Sequence, residues 1–192
     1  GSTLTVGTAV VLYGGELDAS GGNIDAGDVT IAGGELIAPV DGQSFTVSGD
    51  WTHSSGTFTS GTGTVIFDGG DQSISGSTTF NNLTKDISAG GVSRTLTIEA
   101  GETQTVTSTL TLQGVDDTTF LILQSSAAGT QWQIDPQGSR DVQHVQVYDS
   151  SNVNATTIRA VDSADGDDGD GTNTNWNFAD YFVVSGISSP RT

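Results

Sequence analysis

The fold is decided by a stretch of short apolar segments separated by glycines, which reads Gly49-Asp50-Trp51-Thr52-His53-Ser54-Ser55-Gly56-Thr57-Phe58-Thr59-Ser60-Gly61-Thr62-Gly63-Thr64-Val65-Ile66-Phe67-Asp68-Gly69. Its apolar weight comes from Trp51, Phe58, Val65 and Phe67, and small polar residues stand between them. Strands this short cannot bury a face alone, because each needs neighbours above and below it. The stretch therefore predicts a stacked, repetitive all-β body.

Repeats elsewhere in the chain support stacking. Gly14-Gly15-Glu16-Leu17 recurs as Gly33-Gly34-Glu35-Leu36, and the related Gly21-Gly22-Asn23-Ile24 lies between them. Glycine tolerates positive φ and can turn a corner where other residues are strained. A repeat of about 20 residues is typical of one turn of a β-solenoid.

Alternation of polar and apolar residues continues through the middle of the chain. It has the period of two expected of half-buried strands, and no segment has a sustained helical period. The clearest examples are Phe45–Val47, Thr64–Phe67, Ser73–Ser75, Leu96–Ile98, Thr105–Thr107 and Leu110–Leu112. We therefore expect almost no helix.

The amino-acid composition argues against two classes of binding partner. The 192 residues fit one domain and carry 23 Asp and Glu against 5 Lys and Arg, a formal net charge of -18. Such a charge argues against nucleic acid and anionic membranes as partners. No apolar run approaches the roughly 20 residues of a membrane span, so no membrane insertion is expected. The chain has no Met and opens on Gly1, so we expect a processed form or an excerpt of a longer protein.

Several motifs resemble a repeat module of large bacterial cell-surface and secreted proteins. They are Gly49-Asp50-Trp51-Thr52, Ser55-Gly56-Thr57-Phe58, Gly61-Thr62-Gly63-Thr64-Val65, Phe67-Asp68-Gly69, the run from Gln72 to Thr84, Val145, Val147, Asp149-Ser150-Ser151-Asn152 and Asn173-Thr174-Asn175-Trp176-Asn177-Phe178. Such proteins are similar to right-handed parallel β-helix adhesins and to surface-layer or filament components. The resemblance implies an extracellular, cell-surface location in a bacterium and a structural role, and it implies no catalytic residues.

Together these observations predict a single right-handed parallel β-helix, or β-solenoid, of about eight or nine turns over residues 1–178. The tail, residues 179–192, contains a compact apolar strand whose candidate assembly residues are Tyr181, Phe182, Val183, Val184 and Ile187. An uncovered solenoid end offers unpaired backbone to another molecule. The tail is therefore a cap, a linker to a further domain, or a strand donated to a neighbouring subunit.

Calcium is the candidate cofactor. An acidic, glycine-rich loop provides Asp165, Asp167, Asp168, Asp170 and Asn173. Calcium takes six to eight oxygen ligands, and closely spaced aspartates let a backbone wrap around one ion. The spacing is not that of an EF-hand, and the alternative interpretation is a solvated turn.

The remaining candidate side chains carry weaker signals. His53 and His144 lie in alternating strands at positions expected to face outward, and without a Cys or a second nearby His they predict no transition-metal site. Trp51 and Trp132 are expected to fill the core and not to stack on sugars. Asn82 and Asn154 begin glycosylation sequons.

Three functions remain open. The first is a structural subunit of an adhesin, sheath or filament that acts by rigid extension and end-to-end contacts, with copies of itself or further domains as partners. The second is a module that binds glycans or surfaces, with calcium as a candidate requirement. The third is a polysaccharide-active enzyme, for which Asp68 with Asp71 or Asp116 with Asp117 are the candidate carboxylates. The scattered basic residues argue against a lyase, and we expect no enzyme activity.

Overall fold

The computed structural model describes residues 2–167 and 172–179, which contain strands and no helix. No helix in this part of the chain is long and apolar enough to cross a membrane. The strands of the described residues are β1 (Thr3–Leu12), β2 (Glu16–Asp18), β3 (Asn23–Ile37), β4 (Ser44–Val47), β5 (Trp51–Thr59), β6 (Thr64–Phe67), β7 (Gln72–Ser75), β8 (Thr78–Asp86), β9 (Arg94–Ile98), β10 (Thr103–Gln113), β11 (Leu121–Ser125), β12 (Trp132–Pro136), β13 (Ser139–Gln143), β14 (Val145–Val147), β15 (Ser150–Asn152), β16 (Ile158–Val161), β17 (Ala164–Asp165) and β18 (Trp176–Ala179).

Every pairing between these strands is parallel, and the stacked coils form a β-solenoid of about eight turns. The predicted fold class and number of turns are confirmed. The six segments predicted from alternation lie within β4, β6, β7, β9 and β10. The right-handed sense implied by the resemblance stays a prediction.

Successive coils pair along three ladders of strands. The first ladder runs from the start of β1 through β3, β4, β6, β8, β10, β13 and β16 to β18. The second contains the end of β1, the middle of β3, β5, β7, β9, β11, β14 and β17. The third contains β2 with the ends of β3 and β5, and then the starts of β8 and β10 with β12 and β15, and no strand pairing among the described residues joins the end of β5 to the start of β8. Several long strands therefore bend through a corner and serve two ladders.

The coils are unequal in length. Thr157 and Asn175, which stack on each other, are 18 residues apart, whereas Thr103 and Gln133 are 30 apart. The uniform period of about 20 residues expected from the sequence therefore holds approximately for the first and last described coils and fails in the middle ones. The added residues lie in loops outside the ladders, such as the segment between β10 and β11, so the inward register is kept.

The core is formed by the inward residue of each strand, stacked coil upon coil. Trp51 is fully buried, and its ring lies 5.0 Å from that of Phe58 and 5.5 Å from that of Phe80. Trp132 is buried as well, so both tryptophans fill the interior as predicted. Stacked apolar layers of this kind stabilise each coil through its neighbours.

The glycine repeats stack only in part. Glu16 and Leu17 pair with Glu35 and Leu36, so the copies at residues 14–17 and 33–36 lie one above the other. The third copy lies on another ladder, where Ile24 pairs with Leu4 and with Phe45. The likeness of residues 21–24 to the other two copies therefore reflects a similar corner, not the same position in successive coils.

Candidate functional site

The first described coil carries a strand edge without a backbone partner among the described residues. Among the described residues, the backbone of β1 pairs with β3 alone, so the other edge of this ten-residue strand is unpaired. Leu4 lies in the inward register above Ile24 but is 53% exposed. It lines a groove of about 180 Å³ together with Leu17, Ala19 and Ile24. An unpaired strand edge beside apolar side chains is a template for a further strand.

The last described coil differs from the first, because aromatic rings cover its inward side. Trp176 pairs with Ile158 and Phe178 with Ala160. The rings of Trp176 and Phe178 are stacked, with centroids 6.1 Å apart, and the indole of Trp176 donates a hydrogen bond to Ser150 Oγ at 3.0 Å. The first and last described coils are thus chemically unlike, with aliphatic residues in one and aromatic residues in the other.

Ala179, the first residue of the predicted tail, is the last residue of β18. The candidate assembly residues Tyr181, Phe182, Val183, Val184 and Ile187 lie outside the described residues. Their role stays a prediction.

Three members of the predicted calcium loop are described, and their oxygens accept hydrogen bonds within the loop and its neighbours. Asp165 Oδ1 accepts from Asn173 Nδ2 at 2.7 Å and from the Asp167 amide at 3.2 Å. Asp167 Oδ2 accepts from the Asp149 amide at 2.9 Å, and Asn173 Oδ1 accepts from the Ser150 amide at 2.9 Å. These side chains fasten the last coil to the one before it. Asp168 and Asp170 lie outside the described residues, and calcium binding stays a prediction.

The sequon asparagines also take part in the stack. Asn82 Nδ2 donates to the Gly63 carbonyl at 3.0 Å, while its Oδ1 accepts from the Thr109 amide at 3.2 Å. Asn154 Nδ2 donates to Asp135 Oδ1 at 2.8 Å. Glycosylation would replace one hydrogen of an Nδ2 atom that already donates to a neighbouring coil, and it stays a prediction.

The histidines are not placed as the alternation predicts. His53 pairs with the buried Ile31, and its Nδ1 lies 3.3 Å from Thr78 Oγ1, so the expected outward position is wrong. His144 follows β13 at a corner and lies beside Asp117 and Asp162. This cluster gives no signal in the sequence, because the three residues are distant in the chain and the coil lengths that bring them together are irregular.

Three of the candidate catalytic carboxylates make contacts within the fold. Asp116 Oδ1 accepts hydrogen bonds from the amide and the hydroxyl of Thr118 at 2.9 Å and 2.8 Å, and these hold the pKa of Asp116 below its usual value. A glycosidase acid requires a raised pKa. Asp71 Oδ1 accepts from the Thr95 amide of the next coil at 2.9 Å. Asp117 belongs to the cluster with His144.

Comparison with protein-family models, with curated proteins and with solved structures finds no match for this chain. The function is therefore argued from its own residues.

Proposed function

We propose that the protein is a structural solenoid module that extends end to end, with the free edge of β1 as the acceptor for a further parallel strand. The unpaired β1 edge and the exposed Leu4 at an inward position carry this proposal. A coil added above β1 would bury Leu4 and supply the backbone partners that the edge lacks. Main-chain pairing would give affinity and the apolar groove would set the register.

The occupant that we propose is the C-terminal segment of a second copy. Tyr181-Phe182-Val183-Val184 is apolar and strand-sized, and it follows directly on the last coil of the stack. A strand donated from that end would continue the first ladder, which begins at β1 and ends at β18. Each copy would then present one donor end and one acceptor end, and such a contact repeats into a filament when the rotation does not close a ring.

The burial of two tryptophans argues against the glycan-binding alternative. Trp51 and Trp132 are 0% and 1% exposed, so neither can stack on a sugar. A glycan site on the flank would have to use other residues.

The test compares the full chain with two variants by sedimentation velocity and negative-stain electron microscopy. Removal of residues 180–192 deletes the donor, and Leu4→Asp places a charge at the acceptor. We expect rods or oligomers from the full chain and monomers from both variants. The matched control is Val92→Asp, because Val92 is 55% exposed on a loop between β8 and β9, away from the first coil.

Unchanged far-ultraviolet circular dichroism of the variants would show that they remain folded. Mixing the tail-deleted protein with Leu4→Asp supplies one intact acceptor and one intact donor, and we expect heterodimers. Oligomers that persist in both variants, or a full chain that is monomeric at all concentrations, would refute the proposal.

A further inference from the structure

Three chemistry-bearing side chains meet at one corner of the solenoid. His144 follows β13, and Asp162 follows β16 in the next coil. The His144 amide donates to the Val161 carbonyl at 2.9 Å, which stacks the two corners directly. Asp117 comes from the loop between β10 and β11, whose tight turn is closed by a hydrogen bond from the Val115 amide to the Thr119 carbonyl at 2.9 Å. Two successive coils and a loop thus each supply one side chain.

The three side chains bring their ligand atoms close together. One imidazole nitrogen and one carboxylate oxygen from each aspartate all lie within 4.8 Å of one another. Zinc binds such atoms at about 2.0–2.2 Å, so ligand atoms of a tetrahedral site lie roughly 3.3–3.5 Å apart. The separation of 3.1 Å between His144 Nδ1 and Asp117 Oδ1 is close to this spacing.

The His144 Nδ1 atom makes no hydrogen bond that metal binding would have to break. Nδ1 is inaccessible to solvent and has no hydrogen-bond partner, although Asp117 Oδ1 is only 3.1 Å away. The pair is therefore close but not aligned as an N–H···O bond. The contact is an ion pair only when the imidazole is protonated, whereas a metal ion binds the neutral imidazole. A buried polar atom without a hydrogen bond costs free energy that a ligand would recover.

We propose that Asp117, His144 and Asp162 bind one first-row divalent metal ion of the zinc class. The imidazole favours zinc over calcium or magnesium, which prefer oxygen ligands alone. The His144 side chain is 21% exposed and that of Asp117 is 78% exposed, so water can reach the remaining coordination positions. Two carboxylates also neutralise the charge of a divalent cation.

The bound ion would act as a clamp. It would tie the loop between β10 and β11 to two successive coils near the end of the stack, where the shortest strand, β17, contains only two residues. Metal that binds the folded chain and not the unfolded chain stabilises the fold by mass action. This proposal does not depend on end-to-end assembly.

The experiment titrates zinc chloride into the full chain after treatment with a chelator, at physiological salt and with excess magnesium and calcium to occupy weak acidic sites. Isothermal titration calorimetry should give one zinc ion per chain. At a hundredfold excess of zinc over its Kd, Tm should rise by about 5 °C or more. Cobalt in place of zinc should give visible absorption bands from a protein-bound ion.

The variants use the only two histidines of the chain as a matched pair. His144→Gln and Asp117→Asn should weaken zinc binding at least tenfold and remove the Tm increase, whereas His53→Gln should bind zinc as the unchanged protein does. Asp117 is an exposed loop residue, so Asp117→Asn should remain folded without metal. Zinc binding that survives both changes, binding lost equally in His53→Gln, binding abolished by excess calcium, or the absence of binding at millimolar zinc would each overturn the proposal.

Discussion

Lys85 is a charged residue in the apolar interior. It lies in the inward register beside Leu112 and is 0% exposed. Its ammonium donates three hydrogen bonds, to the carbonyls of Gly69 and Gly70 at 3.1 Å each and to Gln72 Oε1 at 2.6 Å. Burial lowers the pKa of Lys85 from 10.5 to about 8, against the opposing attraction of Asp68 and Asp71. The side chain thus closes the corner between β6 and β7 at a cost in desolvation.

This lowered pKa predicts a stability that rises with pH. Between about pH 8 and pH 10.5 the unfolded chain holds a proton on Lys85 that the folded chain has lost, so the free energy of unfolding increases with pH across that window. The gain is on the order of 3 kcal/mol at most. Below pH 8 both states are protonated and Lys85 contributes no pH dependence. Urea unfolding at a series of pH values measures the slope.

The control for this prediction is Lys85→Met, which keeps an unbranched side chain of similar length. Lys85 is the only lysine of the chain, so tyrosines and the α-amino group contribute equally to both proteins. The variant should lack the part of the slope that Lys85 supplies. Identical slopes in the two proteins would show that the ammonium is not the group responsible.

At the scale of strands and corners, close approach between coils explains why glycine is required at particular positions. Gly34 has φ +73°, and a Cβ there would lie 2.4 Å from the Gly15 carbonyl oxygen of the coil before. Gly56, one coil later, has φ +86° and would bring a Cβ to 2.8 Å from the Gly34 carbonyl oxygen. The third-ladder strands can follow these corners in register only because no side chain separates the backbones.

We therefore expect Gly34→Ala to destabilise the protein by at least about 2 kcal/mol, since it adds left-handed strain to a clash with backbone that cannot move aside. Gly21→Ala is the matched control, because Gly21 is also at a corner and a Cβ there meets nothing within 4 Å. Its free energy of unfolding should change by less than about 1 kcal/mol. Equal effects of the two changes in urea unfolding would contradict this explanation.

Alternation and glycine spacing were sufficient to predict the parallel stack, because both reflect backbone geometry that every coil must satisfy. The same alternation, followed from Leu83 to Lys85, places the lysine side chain inward, although charged residues usually lie at the surface. The cluster of Asp117, His144 and Asp162 could not be predicted in this way. Its assembly depends on coils of unequal length, and on His144 and Asp162 adopting positive φ (50° and 47°), a region that glycine adopts more readily.

Part of the acidic composition belongs to the strand corners and not to a ligand site. Asp28 Oδ1 accepts from the Asp50 amide at 2.9 Å, and Asp50 Oδ1 accepts in turn from the Ser73 amide at 2.7 Å. Each carboxylate thereby satisfies a backbone N–H of the following coil where the ladder is interrupted. Such residues stabilise the stack while they add to the negative charge of its surface.

For the whole molecule, the net charge of -18 opposes contact between copies. The contact proposed at the first coil is apolar and main-chain in character, so salt should strengthen it by screening the repulsion between the two bodies. The Debye length falls from about 30 Å at 0.01 M to about 3 Å at 1 M salt. We therefore expect longer assemblies of the full chain as the salt concentration rises across this range.

Sedimentation velocity at fixed protein concentration measures this dependence, and the tail-deleted protein provides the control. It should stay monomeric at every salt concentration, because screening alone does not create a strand donor. Growth of the tail-deleted protein with salt would instead indicate non-specific association of the flanks. Assemblies of the full chain that dissolve as salt rises would mean that ion pairs hold the copies together, and the apolar acceptor at Leu4 would then not be the contact.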